Sequence, residues 1–154
     1  ARLIAAAEIQ AASHRTDVQT AADIMSRDLV TVGPEAPLRE VAGLFARHGF
    51  TSLPVTSDDG TFVGVVFQIH LVRRLMRPDD VELCAADVMS AEPAVATPGT
   101  PVGALLPLLA ESGCDAVPVL DGHTLVGIVT RTDLIAALAR QTLRDPVPRT
   151  AVPE

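Results

Sequence analysis

The chain has 154 residues, of which 48% are hydrophobic, and its formal net charge at pH 7 is −7. The length suffices for one domain or two small domains with a buried core. The acidic balance excludes a general nucleic-acid binder, because such proteins need a basic face to displace counterions. Only 3% of the residues are aromatic, with no Trp or Tyr, so bases would find few surfaces on which to stack. We therefore expect a globular protein whose ligand, if it has one, is small.

The N-terminal residues 1–19 predict a helical arm that is too interrupted by polar residues to be a signal peptide. The longest uncharged run, 93–110, contains four prolines and is shorter than the roughly 20 residues that a membrane span needs. Cys84 and Cys114 lack C-x-x-C spacing, as is typical of reduced thiols inside a cell. These features predict a cytoplasmic location.

The chain contains the same sequence pattern twice. AADIMS at 21–26 returns as AADVMS at 85–90, which is 64 residues later, whereas FVGVVF at 62–67 returns as LVGIVT at 125–130, which is 63 residues later. The lost residue falls in a turn, where SDDGT in the first copy corresponds to DGHT in the second. A deletion confined to a turn is expected for a true structural repeat.

Each copy predicts the element order β-α-β-β-α. The first copy has predicted elements at 29–32, 37–49, 52–56, 62–67 and 68–76, and the second has them at 94–97, 101–113, 116–120, 125–130 and 131–140. The first long helix of each copy begins with Pro and ends with Gly, and Asp/Gly turns separate the hairpin strands. One copy of about 58 residues is near the lower limit for an independent core. The sequence therefore predicts an α/β fold in which two repeats pack together.

The repeated pattern D-[IV]-M-S, P-[LV], [LV]-P-V and V-G-[IV]-V resembles the cystathionine-β-synthase (CBS) domain, here as the tandem pair called a Bateman module. The resemblance covers 20–77 and 84–141 and implies two repeats packed about a pseudo-twofold axis. Between them lies a linker, 78–83, and a proline-containing flexible tail, 142–154, follows. More loosely, GVVFQIHLVRR and LLPLLAESGCDAVPVLD are similar to the pair at the C-terminal end of HPP-type membrane proteins, which implies a module on the cytosolic side of a membrane.

A polar group of residues follows the last strand of the second copy. Thr130 ends this predicted strand, and Arg131, Thr132 and Asp133 form the first turn of the next helix. Free N–H groups and the helix dipole suit a phosphate there, and an ionised Asp133 can accept hydrogen bonds from two ribose hydroxyls. Thr and Asp are also common helix caps. The residues alone leave a cap and a ligand site equally open.

The resemblance favours the ligand site, because it implies that tandem CBS pairs bind adenosine-containing ligands in clefts between the repeats. The binding residues it implies are Thr130, Arg131, Thr132 and Asp133 together with Thr20, Ile24, Met25, Phe50 and Thr51. The adenine is expected against Ile24, Met25 and Phe50, although core packing remains open for Ile24. The expected ligand is AMP, ADP, ATP or S-adenosylmethionine, with one molecule bound per chain.

The first copy departs from this pattern. Phe67 and His70 stand where the second copy has Thr and Asp, so the mirror-related cleft loses a hydroxyl donor and retains at most one acceptor. Cys84 and Cys114 are expected beside His70, and together these residues could bind a metal ion. Loss of a redundant pocket is the favoured interpretation, and the sequence predicts no metal site.

No catalytic motif of the G-x-S-x-G, H-E-x-x-H or P-loop type is present, so we predict no catalytic residues and no enzyme. The leading hypothesis is a regulatory module that senses an adenosine-containing ligand and relays binding to an effector domain or protein through a change of repeat geometry. The alternative is a ligand-free dimerisation or interaction scaffold of a larger protein. The resemblance also implies a homodimer formed through helices.

Overall fold

The computed structural model describes residues 19–77, 81–111 and 114–144. In chain order the elements are α1 (Ala21–Ile24), α2 (Leu38–His48), β1 (Ser52–Thr56), β2 (Phe62–Phe67), α3 (Gln68–Leu75), α4 (Ala85–Val88), α5 (Val102–Ala110), β3 (Ala116–Asp121), β4 (Thr124–Thr130) and α6 (Arg131–Arg144). The predicted N-terminal arm and most of the predicted tail lie outside the described residues. The mixed fold of two repeats is confirmed.

Both copies form the same antiparallel hairpin, β1 with β2 and β3 with β4. Pro54 pairs with Val65 in the first hairpin, and Pro118 pairs with Ile128 in the second. In each hairpin the strand register shifts directly after the residue that follows this proline. Each turn contains a glycine with positive φ, Gly60 in the first and Gly122 in the second. The residue that distinguishes the copies therefore lies in the turn, as the sequence predicts.

The predicted first strand of each copy is shorter than expected. In the first copy only Val32 pairs with β1: its N–H donates to Pro54 O (3.2 Å), and its carbonyl accepts from Thr56 N (2.9 Å). The next rung of this parallel ladder would need an N–H at Pro54, and proline has none. The second copy repeats the arrangement at Ala96 and Pro118. The predictions of strands at 29–32 and 94–97 were therefore wrong in length, since each is a single bridge.

The first segment of each repeat packs against the other repeat. Ser26 forms an antiparallel bridge with Ile128 (N···O 2.9 and 3.1 Å), and Ser90 forms the equivalent bridge with Val65 (2.8 and 3.0 Å). Accordingly, α1 contacts β4 and α6, while α4 contacts β2 and α3. This reciprocal exchange relates the two repeats by a pseudo-twofold axis.

Each repeat consequently has a core to which both copies contribute. The first core surrounds Leu53 and Val66 and includes Ala85 from the second copy. The second core surrounds Leu105 and includes Ala21 from the first copy. Each core is completed by residues of the other repeat, so burial of apolar surface helps to hold the pair together.

The helix ends agree with the sequence in part. α2 ends as predicted at Gly49, which has φ 69° and donates its N–H to Phe45 O (2.9 Å). α5 ends at Ala110, before the predicted end at Gly113, which lies outside the described residues. α6 continues to Arg144. Within the described ranges, none of these helices combines the length and apolar content needed to cross a bilayer.

Candidate functional site

A cavity of about 350 Å³ lies between the two repeats. Its wall comes from three places: the segment after α1, the approach to β1, and the junction of β4 with α6. The lining residues are Ser26, Asp28, Leu29, Val30, Gly49, Phe50, Thr51, Ser52, Pro54, Ile128, Thr130 and Thr132. The volume lies within the range of about 300–1,000 Å³ typical of small-molecule sites.

Local backbone features position these wall segments. The Ser26–Ile128 bridge fixes the segment after α1 against β4. The left-handed Gly49 turns the chain from α2 towards β1, and Thr51 O then accepts a hydrogen bond from Gln68 N (2.9 Å). Because one wall segment is hydrogen-bonded across the repeats, the cavity depends on their relative position.

Thr130 and Asp133 form a reciprocal helix cap. Thr130 N–H donates to Asp133 Oδ2 (2.9 Å), and Asp133 N–H donates to Thr130 Oγ1 (3.2 Å). The other carboxylate oxygen, Oδ1, accepts from the Ser26 hydroxyl at 3.5 Å. An ionised carboxylate has about four acceptor positions, so the capping bonds leave Oδ1 with capacity for a ligand.

The structure places the Arg131 guanidinium away from the cavity. Its Nε donates to Leu109 O (2.8 Å), Nη2 donates to Glu111 O (2.9 Å), and Nη1 forms an ion pair with Asp115 Oδ1 (2.9 Å). These bonds satisfy carbonyls at the C-terminal end of α5, which lack partners within that helix. The Arg131 guanidinium, which was predicted to lie near a phosphate, is therefore bound at the C-terminal end of α5.

Three further predicted residues lie outside the cavity wall. Thr20 is the N-cap of α1, with its N–H and hydroxyl 2.8 and 3.1 Å from Asp23 Oδ2. Ile24 and Met25 are buried in the second core, the packing alternative that the sequence leaves open for Ile24. The structure thus brings together four of the nine predicted residues as cavity lining, Phe50, Thr51, Thr130 and Thr132, with Asp133 directly beside them.

Phe50 provides an aromatic surface at the cavity. Its half-buried ring stacks on His48, with centroids 4.8 Å apart and planes inclined by 13°. The sequence does not predict the other lining residues, which are Ser26, Asp28, Leu29, Val30, Gly49, Ser52, Pro54 and Ile128. For Leu29 and Val30 the reason is the predicted strand at 29–32, which placed them in the sheet. Pro54 was the available signal: since it cannot donate to that segment, residues before Val32 are released from the sheet to line a cavity.

Charge in the cavity wall is acidic. Asp28 is the charged residue among the described lining residues, and Asp133 lies next to the wall. The neighbouring Arg27 directs Nη2 to Ala22 O (3.0 Å). A bound anion would therefore rely on N–H and hydroxyl donors rather than on a guanidinium.

The mirror-related position of the first repeat is filled. Phe67 is only 5% exposed and contacts the His70 ring edge-on, with centroids 5.8 Å apart. Cys84 caps α4 by donating its N–H to Asp87 Oδ2 (2.8 Å), and desolvation raises the pKa of the half-buried Cys114 thiol. In the part of the chain that is described, no three His, Cys, Asp or Glu side chains are grouped to hold a metal ion.

Both repeats match a known family. The family model for the CBS domain matches residues 21–77 and 85–140. The chain is 29% identical over 131 residues to the A-adding tRNA nucleotidyltransferase of Geobacter sulfurreducens, covering 85% of this chain and 15% of that enzyme. It is 35% identical over 114 residues to inosine-5′-monophosphate dehydrogenase of Mycobacterium tuberculosis, covering 72% and 21% respectively. The chain therefore spans only a small part of either relative.

The fold is similar to that of solved CBS pairs. The CBS-pair protein CBSX2 from Arabidopsis thaliana superposes with a TM-score of 0.73 at 28% identity, covering 83% of this chain and 99% of that one. A structure of CBSX2 in complex with AMP gives a TM-score of 0.71 at 27% identity, with coverages of 80% and 98%.

Proposed function

The chain belongs to the CBS domain family, and on that premise we propose that it is a regulatory module that senses an adenosine-containing ligand between its repeats. The observation that carries this proposal is the cavity whose wall is shared by both repeats and ends at the first turn of α6. The complex of CBSX2 with AMP supports the ligand class. A ligand that touches both repeats favours one relative geometry, and an effector domain or protein could read a coupling of about 1–3 kcal/mol.

We place the adenine against the apolar part of the wall, formed by Val30, Phe50 and Ile128. Phe50 offers a ring face or edge whose orientation is supported by its stack on His48. This assignment replaces Ile24 and Met25 by residues that line the cavity. A cytoplasmic location is part of the proposal, because both cysteines are free thiols.

We place the ribose and its substituent at the start of α6. Asp133 Oδ1 would accept from a ribose hydroxyl, while Thr132 and the first N–H groups of the helix would donate to a phosphate. Arg131 contributes its backbone N–H to this turn rather than its guanidinium. Because Asp28 repels a long phosphate chain, we expect affinity to fall from AMP through ADP to ATP.

A ligand panel tests the proposal directly. AMP, ADP, ATP and S-adenosylmethionine are titrated by calorimetry at one ionic strength, and the melting temperature Tm is measured in parallel. At least one should bind with one molecule per chain and stabilise the fold by about 2.7 kcal/mol at a hundredfold excess over Kd. Absence of binding by all four compounds would contradict the sensor and leave the scaffold function.

Replacing Asp133 with Asn should weaken binding of the tightest adenosyl compound by roughly 10- to 100-fold, as expected for a lost hydrogen bond to a charged group of about 1.5–3 kcal/mol. Asn can still accept from Thr130 N, so the cap and the Tm should be largely preserved. The control is His70→Ala at the equivalent position of the first repeat, which should bind normally. Calorimetry showing two equal sites per chain, or full affinity in the Asp133 variant, would reject this assignment.

A second proposal, compatible with the first, is that the chain forms a homodimer. Apolar side chains on α3 and α6 are exposed to solvent, among them Leu75 at 54% and Ile135 at 65%. Val72 and Ile135 occupy equivalent positions of the two repeats, so a second copy could cover both helices through one isologous interface. We expect a dimer mass by light scattering at micromolar concentration, and a monomer for the double variant Leu75→Glu, Ile135→Glu. A monomeric wild-type chain would contradict the dimer.

A further inference from the structure

A second pocket, of about 210 Å³, lies between α3 and α4, away from the adenosyl cavity. Four of its lining residues come from one face of α3 and its extension, at successive spacings of three, one and three residues: His70, Arg73, Arg74 and Arg77. Asp87 and Val88 form the opposite side. A chain with a net charge of −7 thus concentrates three arginines at one pocket.

This concentration of charge is unfavourable unless an anion balances it. Arginines three or four residues apart on a helical face repel one another. The carboxylate in the pocket, Asp87, already accepts hydrogen bonds from Cys84 N (2.8 Å) and Sγ (3.3 Å), and these bonds keep its pKa low and the group ionised. Within the described residues, the Arg73 and Arg77 guanidinium groups form no ion pair. Asp87 is therefore the one carboxylate among the lining residues described, and it forms no ion pair with Arg73 or Arg77.

The second repeat shows that the fold does not need Arg73 or Arg74. At the equivalent positions α6 carries Asp133, Ala136, Ala137 and Arg140. Like α3, it contacts the preceding hairpin strand and the short helix of the other repeat. The helix dipole favours cations in the last turn, where Arg73 and Arg74 lie, but it does not require that they line a pocket. Arg73 and Arg74 are thus a feature of the first repeat alone, whereas Arg77 has a counterpart in Arg140.

We propose that this pocket binds a small multivalent oxyanion, carrying phosphate or carboxylate groups, through Arg73 and Arg77. The guanidinium fork matches both groups bidentately. The site shares no lining residue with the adenosyl cavity, so both ligands could be bound together. It stands independently of the adenosyl sensor.

Inorganic pyrophosphate and citrate are the probes, titrated by calorimetry at constant ionic strength. We expect one to bind with a stoichiometry of one per chain and to raise the Tm, and the tighter of the two identifies the preferred group. The double variant Arg73→Gln, Arg77→Gln should bind at least tenfold more weakly. In the absence of an anion, the Tm of this double variant should be no lower than that of the wild type, because the substitutions remove repulsion between the arginines.

The matched control is Arg39→Gln, Arg47→Gln, which removes the same charge from exposed positions of α2 and should retain binding within twofold. Equal weakening in both double variants would show a general charge effect and overturn the site, as would no binding of either probe. The single variant Arg77→Gln, which lies beyond the end of α3, keeps the test valid if the double variant is unfolded. If neither probe binds to this pocket, the adenosyl sensor is not contradicted, because it is tested separately by the binding of AMP.

Discussion

Replacing Thr130 with Phe is expected to abolish binding of the adenosine-containing ligand while leaving the fold intact. Thr130 lines the cavity, and its hydroxyl caps Asp133 N. A phenyl ring at this position would occupy the space of the ligand, as Phe67 does at the equivalent position of the first repeat, where it is buried. We expect affinity to fall by at least about 100-fold, equivalent to some 2.7 kcal/mol.

The first repeat, which carries Phe67 at the equivalent position, indicates that the Thr130→Phe variant should remain folded. Loss of the hydroxyl cap costs about 0.5–2 kcal/mol, and burial of the ring returns a similar amount. Calorimetry with the tightest adenosyl compound measures the affinity, and Tm reports the fold. Thr130→Val is the isosteric control, expected to lose about tenfold. A folded Thr130→Phe protein with wild-type affinity would show that the ligand binds elsewhere.

Local patterns made most of the fold predictable. The hairpins follow from alternating apolar residues and Asp/Gly turns, and the end of α2 follows from Gly49, which adopts the left-handed conformation that glycine favours. The one-residue deletion is visible because the same pattern occurs twice. These signals act within a few residues, so a single sequence carries them.

The parts that were not predicted depend on distant partners. The Ser26–Ile128 bridge joins residues about a hundred positions apart and moves Ile24 and Met25 into the second core. The Arg131 side chain binds carbonyls at the C-terminal end of α5, and this helix ends earlier than predicted. The orientation of Arg131 therefore depends on where α5 ends. Competition between such partners cannot be read from local sequence.

Residue types therefore predicted the polar end of the cavity better than its apolar wall. Thr130 ends β4, and Thr132 and Asp133 lie in the first turn of α6, so their proximity follows from sequence alone. The apolar wall combines three separated segments, and many apolar residues could have filled it. Packing of the shared core decides which apolar residues are buried, as Ile24 and Met25 are, and which line the cavity.

Gly64→Ala is expected to destabilise the protein by about 1–3 kcal/mol, the usual cost of inserting an atom into a packed region. A Cβ at Gly64 would lie 2.7 Å from Ser90 O and 2.7 Å from Met89 Sδ. Ser90 O accepts from Val65 N (3.0 Å) in the bridge between the repeats, so the carbonyl cannot move away without weakening that bridge. The substitution therefore acts on the exchange that holds the two repeats together.

Gly127→Ala is the matched comparison, because the three atoms nearest to a Cβ at the equivalent glycine of the second hairpin all belong to the Met25 side chain. A methionine side chain can change rotamer more easily than a hydrogen-bonded carbonyl can shift. We expect the Tm of Gly64→Ala to fall by roughly 2–12 °C, at 2–4 °C per kcal/mol for a domain of this size, and that of Gly127→Ala to fall less. Urea unfolding checks the order of the two variants. A larger loss for Gly127→Ala would show that packing around Met25, rather than the Ser90 bridge, limits the stability of the pair.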